Sequence, residues 1–387
     1  MTFEIRGAGC INKGAYLMLL ATIEQIKKYY PNARIAVKPR HSLNYNAYSK
    51  LGLYPKFDYR RFGIEWGFLI KILPKKFRNS FGILTEQDID VILDISGFVL
   101  GDQWGKKTAK EIYSNVSRWH KKDKIVIFLP QAFGPFTVPG IDKAVRGIVK
   151  NANLIFPREV LSNNFLVDAI GASFNSKIKI SPDFTCLIDP ELTSINNKFS
   201  SQKVCIIPNQ KMVTRGSKDQ GKRYLYFLSW IAAYLREKGL TPYFLIHEGS
   251  VDKDLAEKAC KAIFPSVMIL QPDDPVEIKR IISSSYAIIS SRYHGAVSAL
   301  SQSIPVLVTS WSHKYEMLFD DYGIQDGILK LTDNESEWCL QLNRILDSSK
   351  NIEMREQLRL KTLEQKQMAI DMWAIVFDYI AKKEIKK

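Results

Sequence analysis

Long apolar stretches are missing from this 387-residue chain. No run of about 18 uncharged apolar residues occurs, so hydropathy offers no membrane-spanning helix. Cysteine is sparse: Cys10, Cys186, Cys205, Cys260 and Cys339 are odd in number, widely spaced and mostly set in apolar runs. That pattern suits buried thiols and argues against a disulfide framework or a zinc site. No His, Cys or carboxylate cluster has metal-ligand spacing, so no metal is expected. The opening Met1–Arg6 runs straight into a strand-like segment with no signal-peptide pattern, which gives the expectation of a cytoplasmic protein. Internal repeats and low-complexity tracts are also absent.

Positive charge is plentiful. Lysine and arginine number 55 against 40 acidic residues, a net charge of +15, so the expected partners are anionic: nucleic acid, phosphorylated small molecules or an acidic membrane surface. With 46% hydrophobic and 25% charged residues the composition is that of a globular protein, and the length implies two domains. Short β-rich runs at 3–6, 34–38, 90–94, 124–129 and 153–156 alternate with helical patterns such as Ala15–Tyr29 and Lys106–Trp119, the signature of a parallel sheet covered by helices. The pattern lapses over Asp189–Gln202 and restarts at Val204, with further strands near 242–246, 267–270, 286–290 and 305–308. A linker there divides residues 1–195 from 196–387. The expected fold is therefore α/β, two Rossmann-like domains facing a cleft in a GT-B-like arrangement, with a long helix over Glu353–Lys383 at the end.

Ser290-Ser291-Arg292-Tyr293-His294-Gly295-Ala296 follows the apolar strand Tyr286–Ile289 and leads into a helix of small and apolar residues. Such turns lie at the carboxyl ends of parallel strands, where open sheets place ligands and where helix N–H groups attract anions. Arg292 offers a fork of donors for carboxylate or phosphate, and His294 a proton that moves near neutral pH. The alternative is a surface arginine and a histidine satisfied within the turn. Gly295, lacking a Cβ, lets a ligand approach the backbone. In Gly7–Gly14, which has neither dinucleotide nor Walker spacing, Asn12 either bonds a sugar hydroxyl or holds the turn. Arg158 and Asp94 end strands: the first aims at a ligand or pairs with Glu159, and the second orients a base or caps a turn, as does Asp183. His247-Glu248 and His313-Lys314 follow strands in the second domain as ligands' neighbours, helix caps or surface pairs; His41 and His120 read as surface residues.

Taken in order, Gly7–Gly14, Asp94–Phe98, Gln131–Pro135, Arg158-Glu159 with Ser162, Pro182–Phe184, Arg292–Ala296, Ile304–Val306 and Lys314 resemble the motifs of the polysaccharide pyruvyl transferase family, over about residues 4 to 325. Ala15 and Ser96-Gly97 depart from the family's usual acidic residue and paired glycines. The resemblance implies a GT-B-like fold and transfer of pyruvate from phosphoenolpyruvate to two hydroxyls of a sugar, forming a ketal. The acceptor is a lipid-linked or nucleotide-linked sugar or a glycan, on the N-terminal side. In that reading Arg292, Arg158 and Lys314 hold the donor's anionic groups and His294 is the proton donor. Gly295, Asn12, Asp94 and His247 line the substrate, and no cofactor is needed beyond phosphoenolpyruvate as co-substrate. A GT-B glycosyltransferase using a nucleotide-sugar fits the same architecture. Residues 56–78 mix Lys and Arg with Phe62, Trp66 and Phe68, which suits either an interfacial segment on the inner face of an anionic membrane or a core helix with solvated flanks. No nucleic-acid-binding motif is present.

Overall fold

Strands that are apolar on both faces need helices on both sides, and that requirement organises each half of the chain. The computed structural model describes residues 1–39, 49–57, 60–61, 64–65, 74–171, 176–190, 202–214, 217–261, 267–310 and 314–385. Two compact units result: Met1–Ile11, Met18–Phe184 and Met368–Lys387 form the first, and Asn12–Leu17 with Thr185–Gln367 the second.

In the first unit the chain runs β1 (Thr2–Arg6), α1 (Lys13–Tyr29), β2 (Arg34–Val37), β3 (Tyr54–Pro55), the small pair β4 (Arg60–Arg61) and β5 (Ile64–Glu65), then α2 (Lys75–Ser80). It continues through β6 (Val91–Asp94), β7 (Phe98–Leu100), α3 (Gly105–His120), β8 (Ile125–Phe133), α4 (Ile141–Asn151), β9 (Leu154–Pro157) and α5 (Val160–Ile170). The main sheet has the order β3-β2-β1-β6-β8-β7, with β9 also pairing with β8, and its pairs are parallel. Ile92, Val126 and Phe128 meet Val116 and Trp119 of α3 in one core.

The second unit contains β10 (Lys203–Ile207), α6 (Lys211–Thr214), α7 (Lys218–Glu237), β11 (Thr241–Leu245), α8 (Gly249–Lys261), β12 (Met268–Leu270), α9 (Pro275–Ser283) and β13 (Ala287–Ser290). There follow α10 (Tyr293–Leu300), β14 (Val306–Thr309), α11 (Lys314–Asp321), β15 (Ile328–Leu329), α12 (Glu335–Leu346) and α13 (Ser348–Glu384). Its parallel sheet has the order β12-β11-β10-β13-β14-β15. Val204 and Ile206 pack on α7 and Trp338, while Cys205 and Ile207 pack on α10 and α11, so β10 is buried from both sides.

Two boundaries differ from the sequence expectation. The units divide after Phe184, not at 195, and the end of α13 belongs to the first unit. The cause is aromatic: Trp373 meets Phe184 edge-on with centroids 5.4 Å apart, and Phe377 stacks on Tyr29 at 4.2 Å. The apolar spacing of α13 shows that one face is buried but carries no information about which core it joins. The first turns of α1, Asn12–Leu17, group with the second unit.

Candidate functional site

The order of the second sheet changes direction at β10, whose neighbours are β11 on one side and β13 on the other. Ligands of open parallel sheets collect beyond the carboxyl ends of strands at such a point. Here the segment Ser290–Arg292 leaves β13 and is clamped on every side. The Ser291 carbonyl accepts from Asn209 Nδ2 at 2.8 Å and from the Tyr315 hydroxyl at 2.9 Å. Its hydroxyl accepts from Tyr224 at 2.7 Å and lies 2.6 Å from Thr309 Oγ1. Burial raises the Tyr224 hydroxyl well above its ordinary pKa, so it remains a donor. Ser290 Oγ accepts from the Arg292 N–H at 3.1 Å, turning the chain into α10.

Arg292 is the N-cap residue of α10 and is only 8% exposed. Its Nε donates to Asp252 Oδ2 at 3.0 Å, Nη2 reaches the same oxygen, and Nη1 donates to Glu248. Asp252, in the first turn of α8, is itself buried and accepts the Gln210 N–H at 2.9 Å. Desolvation raises the Asp252 carboxyl above the ordinary carboxylate range although Arg292 opposes it. The arginine is thus neither a surface residue nor a bare cation. One buried carboxylate aims it, and a second, more exposed one shares its outer edge.

The start of α1 completes this cluster. Asn12 Oδ1 accepts from the N–H groups of Gly14 and Ala15 at 3.0 and 3.2 Å, and its amide donates to Glu248 at 3.3 Å. Of the two roles open to Asn12, holding the turn is the one these contacts show. Lys13 Nζ donates to the Asp273 carbonyl at 2.6 Å. Gly14 lies against the His294 ring so closely that a Cβ added to it would stand 2.0 Å from Nδ1. Lys314, the first residue of α11, places its Nζ 4.8 Å from the centre of the Tyr293 ring, the residue between Arg292 and His294.

His247 follows β11 and is 3% exposed, with Nε2 buried and making no hydrogen bond. Burial, followed by Arg292, His294 and Lys13, holds its pKa well below 6.5. The imidazole is therefore neutral when folded and can be protonated readily only when unfolded. The unfolded chain binds the extra proton, so this residue makes stability fall as pH drops from about 6.5 toward the folded pKa, by at most about 1.4 kcal/mol per pH unit. Thermal melts at pH 7 and pH 5 are expected to differ less for His247→Gln than for the wild type. Equal differences would show that His247 does not titrate in this way.

Three sequence expectations need revision or lie elsewhere. Gly295 is buried, and a Cβ there would meet Ser290 Oγ at 2.6 Å and Ile207 Cδ1 at 2.9 Å. The space a Cβ would take is filled by these neighbours, which lets α10 pack on β13. Arg158 belongs to the first unit, where its Nη1 donates to Asp183 at 3.2 Å and Nε lies 3.9 Å from Glu159. Asp94 is also in the first unit, capping the turn after β6 by accepting the Ser96 N–H at 3.0 Å. His120 is exposed as expected, whereas His41, His313 and most of the basic-aromatic segment 56–78 fall outside the described residues. Asp252 was not anticipated at all: an acid in a helix's first turn is common, and nothing in its spacing connects it to residue 292. Among the described residues, no group of three or more His, Cys, Asp or Glu side chains could hold a metal, and no helix is long and apolar enough to cross a membrane.

The model of the polysaccharide pyruvyl transferase family matches residues 12–313, which include the cluster described above except Lys314 and Tyr315. The chain belongs to that family. It is accordingly a transferase, and its fold has wider relatives. A putative UDP-N-acetylglucosamine 2-epimerase from Listeria monocytogenes superposes with a TM-score of 0.62 at 9% identity, over 98% of this chain and 96% of that one. The UDP-GlcNAc 2-epimerase of Neisseria meningitidis, bound to UDP-GlcNAc, gives 0.59 at 12% identity over 100% of both chains. That of Methanocaldococcus jannaschii, in complex with UDP-GlcNAc and UDP, gives 0.55 at 15% over 90% and 93%. These likenesses establish the fold: a GT-B-like pair of α/β units with parallel sheets and a long C-terminal helix. No curated protein matches the chain.

Proposed function

We propose that this transferase moves pyruvate from phosphoenolpyruvate to two hydroxyls of one sugar in a glycan or glycan precursor, forming a ketal and releasing inorganic phosphate. The observation that carries this reading is the pairing, at one helix entrance, of a guanidinium oriented by a buried carboxylate with an imidazole seated on the Gly14 backbone. A three-carbon donor with a carboxylate and a phosphate needs converging positive charge. Arg292, Lys13 and Lys314 supply it in the second unit, and Arg158 is a further candidate.

In this mechanism His294 gives a proton to the methylene carbon of the donor, and positive charge develops at C2, shared with its oxygen. The first sugar hydroxyl adds to C2, the bond from C2 to the phosphate oxygen breaks, and the second hydroxyl adds to close the ring. Of the two hydroxyl protons, one restores His294 and the other leaves with phosphate, so the balance closes. Glu248 is the more exposed partner of Arg292, and an anionic donor competes with it for Nη1. Displaced in this way, its carboxylate becomes a base for a sugar hydroxyl. His247, neutral at pH 7, accepts or donates a hydrogen bond without adding charge. Proton transfer of this kind contributes roughly 10²- to 10⁴-fold in rate, with positioning and charge stabilisation supplying the remainder. The acceptor is a lipid-linked or nucleotide-linked sugar or a finished glycan, met in the cytoplasm or at the inner face of an anionic membrane.

The deciding experiment incubates the protein with phosphoenolpyruvate and a panel of glycan precursors, following phosphate and product mass. A product heavier by one pyruvate less water supports the reading. Nucleotide release from a nucleotide-sugar, with no phosphate from phosphoenolpyruvate, would instead make the protein a GT-B glycosyltransferase. Turnover is expected to persist in EDTA, because arginine and lysine neutralise the donor; loss restored by a divalent cation would contradict that. Gly14→Ala is expected to cut turnover on the order of 10²-fold by pushing the His294 ring aside, a displacement of about 1 Å being enough. The melting temperature, measured on the same sample, separates displacement of the ring from loss of the fold. Unchanged single-turnover rates would remove His294 from the reaction coordinate.

A further inference from the structure

The first unit contains a cavity for which the donor chemistry above has no use. Its sheet changes direction at β1, whose neighbours are β2 and β6, and the same rule that places the Arg292 cluster in the second unit directs a ligand to this point. There, between one face of α3 and the side of the sheet carrying Arg6, Asp94 and Phe128, lies an open cavity of about 220 Å³. Among the described residues, two charges of α3 and the sheet, Glu111 and Asp94, stand in its wall with Ser96, against a single cation. That cation, Arg6, is already committed: Nη1 donates to Glu4 at 3.2 Å and the guanidinium lies 4.7 Å from the centre of the Trp119 ring.

This balance decides the ligand class. Among the described residues a phosphate or carboxylate would face two acidic groups with no uncommitted cation, whereas hydroxyls donate well to carboxylates. Asp94 uses Oδ1 for the Ser96 N–H and, at 3.4 Å, Gln131 Nε2, and among the described residues Oδ2 accepts nothing. Phe128 and the aliphatic residues beside it supply an apolar wall for a ring's C–H face. A polar space of this size holds several waters, and a ring of hydroxyls can take their places and keep their hydrogen bonds. The volume suits one ring, not a nucleotide.

The geometry points to a binding site for a neutral sugar residue in the first unit, walled by Asp94, Ser96 and Glu111 and backed by Phe128. Naming that residue as part of the glycan acceptor rests on the pyruvyl-transfer reading; the site itself does not.

The test is saturation-transfer NMR on the full chain with methyl glycosides of glucose, galactose and N-acetylglucosamine, with glucuronate and inorganic phosphate as charged competitors and no phosphoenolpyruvate. At least one neutral glycoside is expected to bind at millimolar concentration and to resist both competitors. Ile112→Trp, which fills the cavity from α3, should weaken binding at least about tenfold while the melting temperature holds. Should that variant not fold, Val99→Phe fills it from the opposite wall, and Asp94→Asn, which keeps the Ser96 contact, should also weaken binding. Absence of binding by every neutral glycoside, displacement by glucuronate or phosphate, or full binding by a folded cavity-filling variant would each overturn the site. In turnover assays the filled variant should raise the acceptor KM and leave the phosphoenolpyruvate KM unchanged. Glycoside binding lost on filling, with no phosphate released from phosphoenolpyruvate under any condition, would leave the sugar site standing and reject the pyruvyl-transfer reading alone.

Discussion

Arg292→Ala is expected to lose phosphoenolpyruvate turnover almost completely and to destabilise the second unit at the same time. The two effects have separate causes. Removing the guanidinium takes away a forked, charge-assisted contact to the donor, and it also strands Asp252, which is 1% exposed and among the described residues has no other cation bonded to it. Breaking a buried pair from one side costs about 3–5 kcal/mol. Removing Asp252 as well, in Arg292→Ala/Asp252→Ala, should recover much of the stability and none of the turnover. Arg292→Lys should keep a counter-charge for Asp252 yet lack the planar fork, so that its melting temperature lies near the wild type while kcat/KM for phosphoenolpyruvate stays low. Calorimetric melts and steady-state kinetics on the same preparations separate these outcomes. Wild-type kcat/KM in folded Arg292→Ala would take the residue out of the donor site.

His294→Gln carries the second large effect. Turnover should fall by roughly 10²- to 10⁴-fold, because glutamine keeps a polar side chain of similar reach and has no proton to give near neutral pH. Donor binding should survive, since Arg292, Lys13 and Lys314 are untouched. Equilibrium binding of phosphoenolpyruvate, melting temperature and single-turnover rate on one sample check all three statements. A protein that melts lower yet turns over normally in its folded fraction would make His294 a packing residue against Gly14, and the proton would have to come from another group.

Much of this site could be read from the sequence because it is carried by contiguous residues. Ser290–Ala296 contains both principal groups, and the strand before it and the helix after it follow from the apolar run and from the small residues. His247 was legible because it closely follows a strand in an alternating β/α series, and Lys314 through the resemblance to the family's motifs. Glycine was read less well. At 295 the missing Cβ makes room for Ser290 and Ile207, and at 14 for the ring of His294, and a one-dimensional pattern cannot say whether the space beside a glycine belongs to a ligand or to a neighbour.

The sequence by itself determined the fold class, the two parallel sheets, the order of the motifs and the family, because alternating periodicity and short ordered segments are local properties. Only the tertiary structure decided that Arg292 is aimed by Asp252 and shared with Glu248, that Asn12 holds the α1 turn, and that the end of α13 joins the first core through Trp373 and Phe377. Each of these depends on pairs of residues distant in the chain whose meeting is fixed by strand order and helix packing, and the charge, burial and hydrogen bonding that set their chemistry come into being only with that meeting.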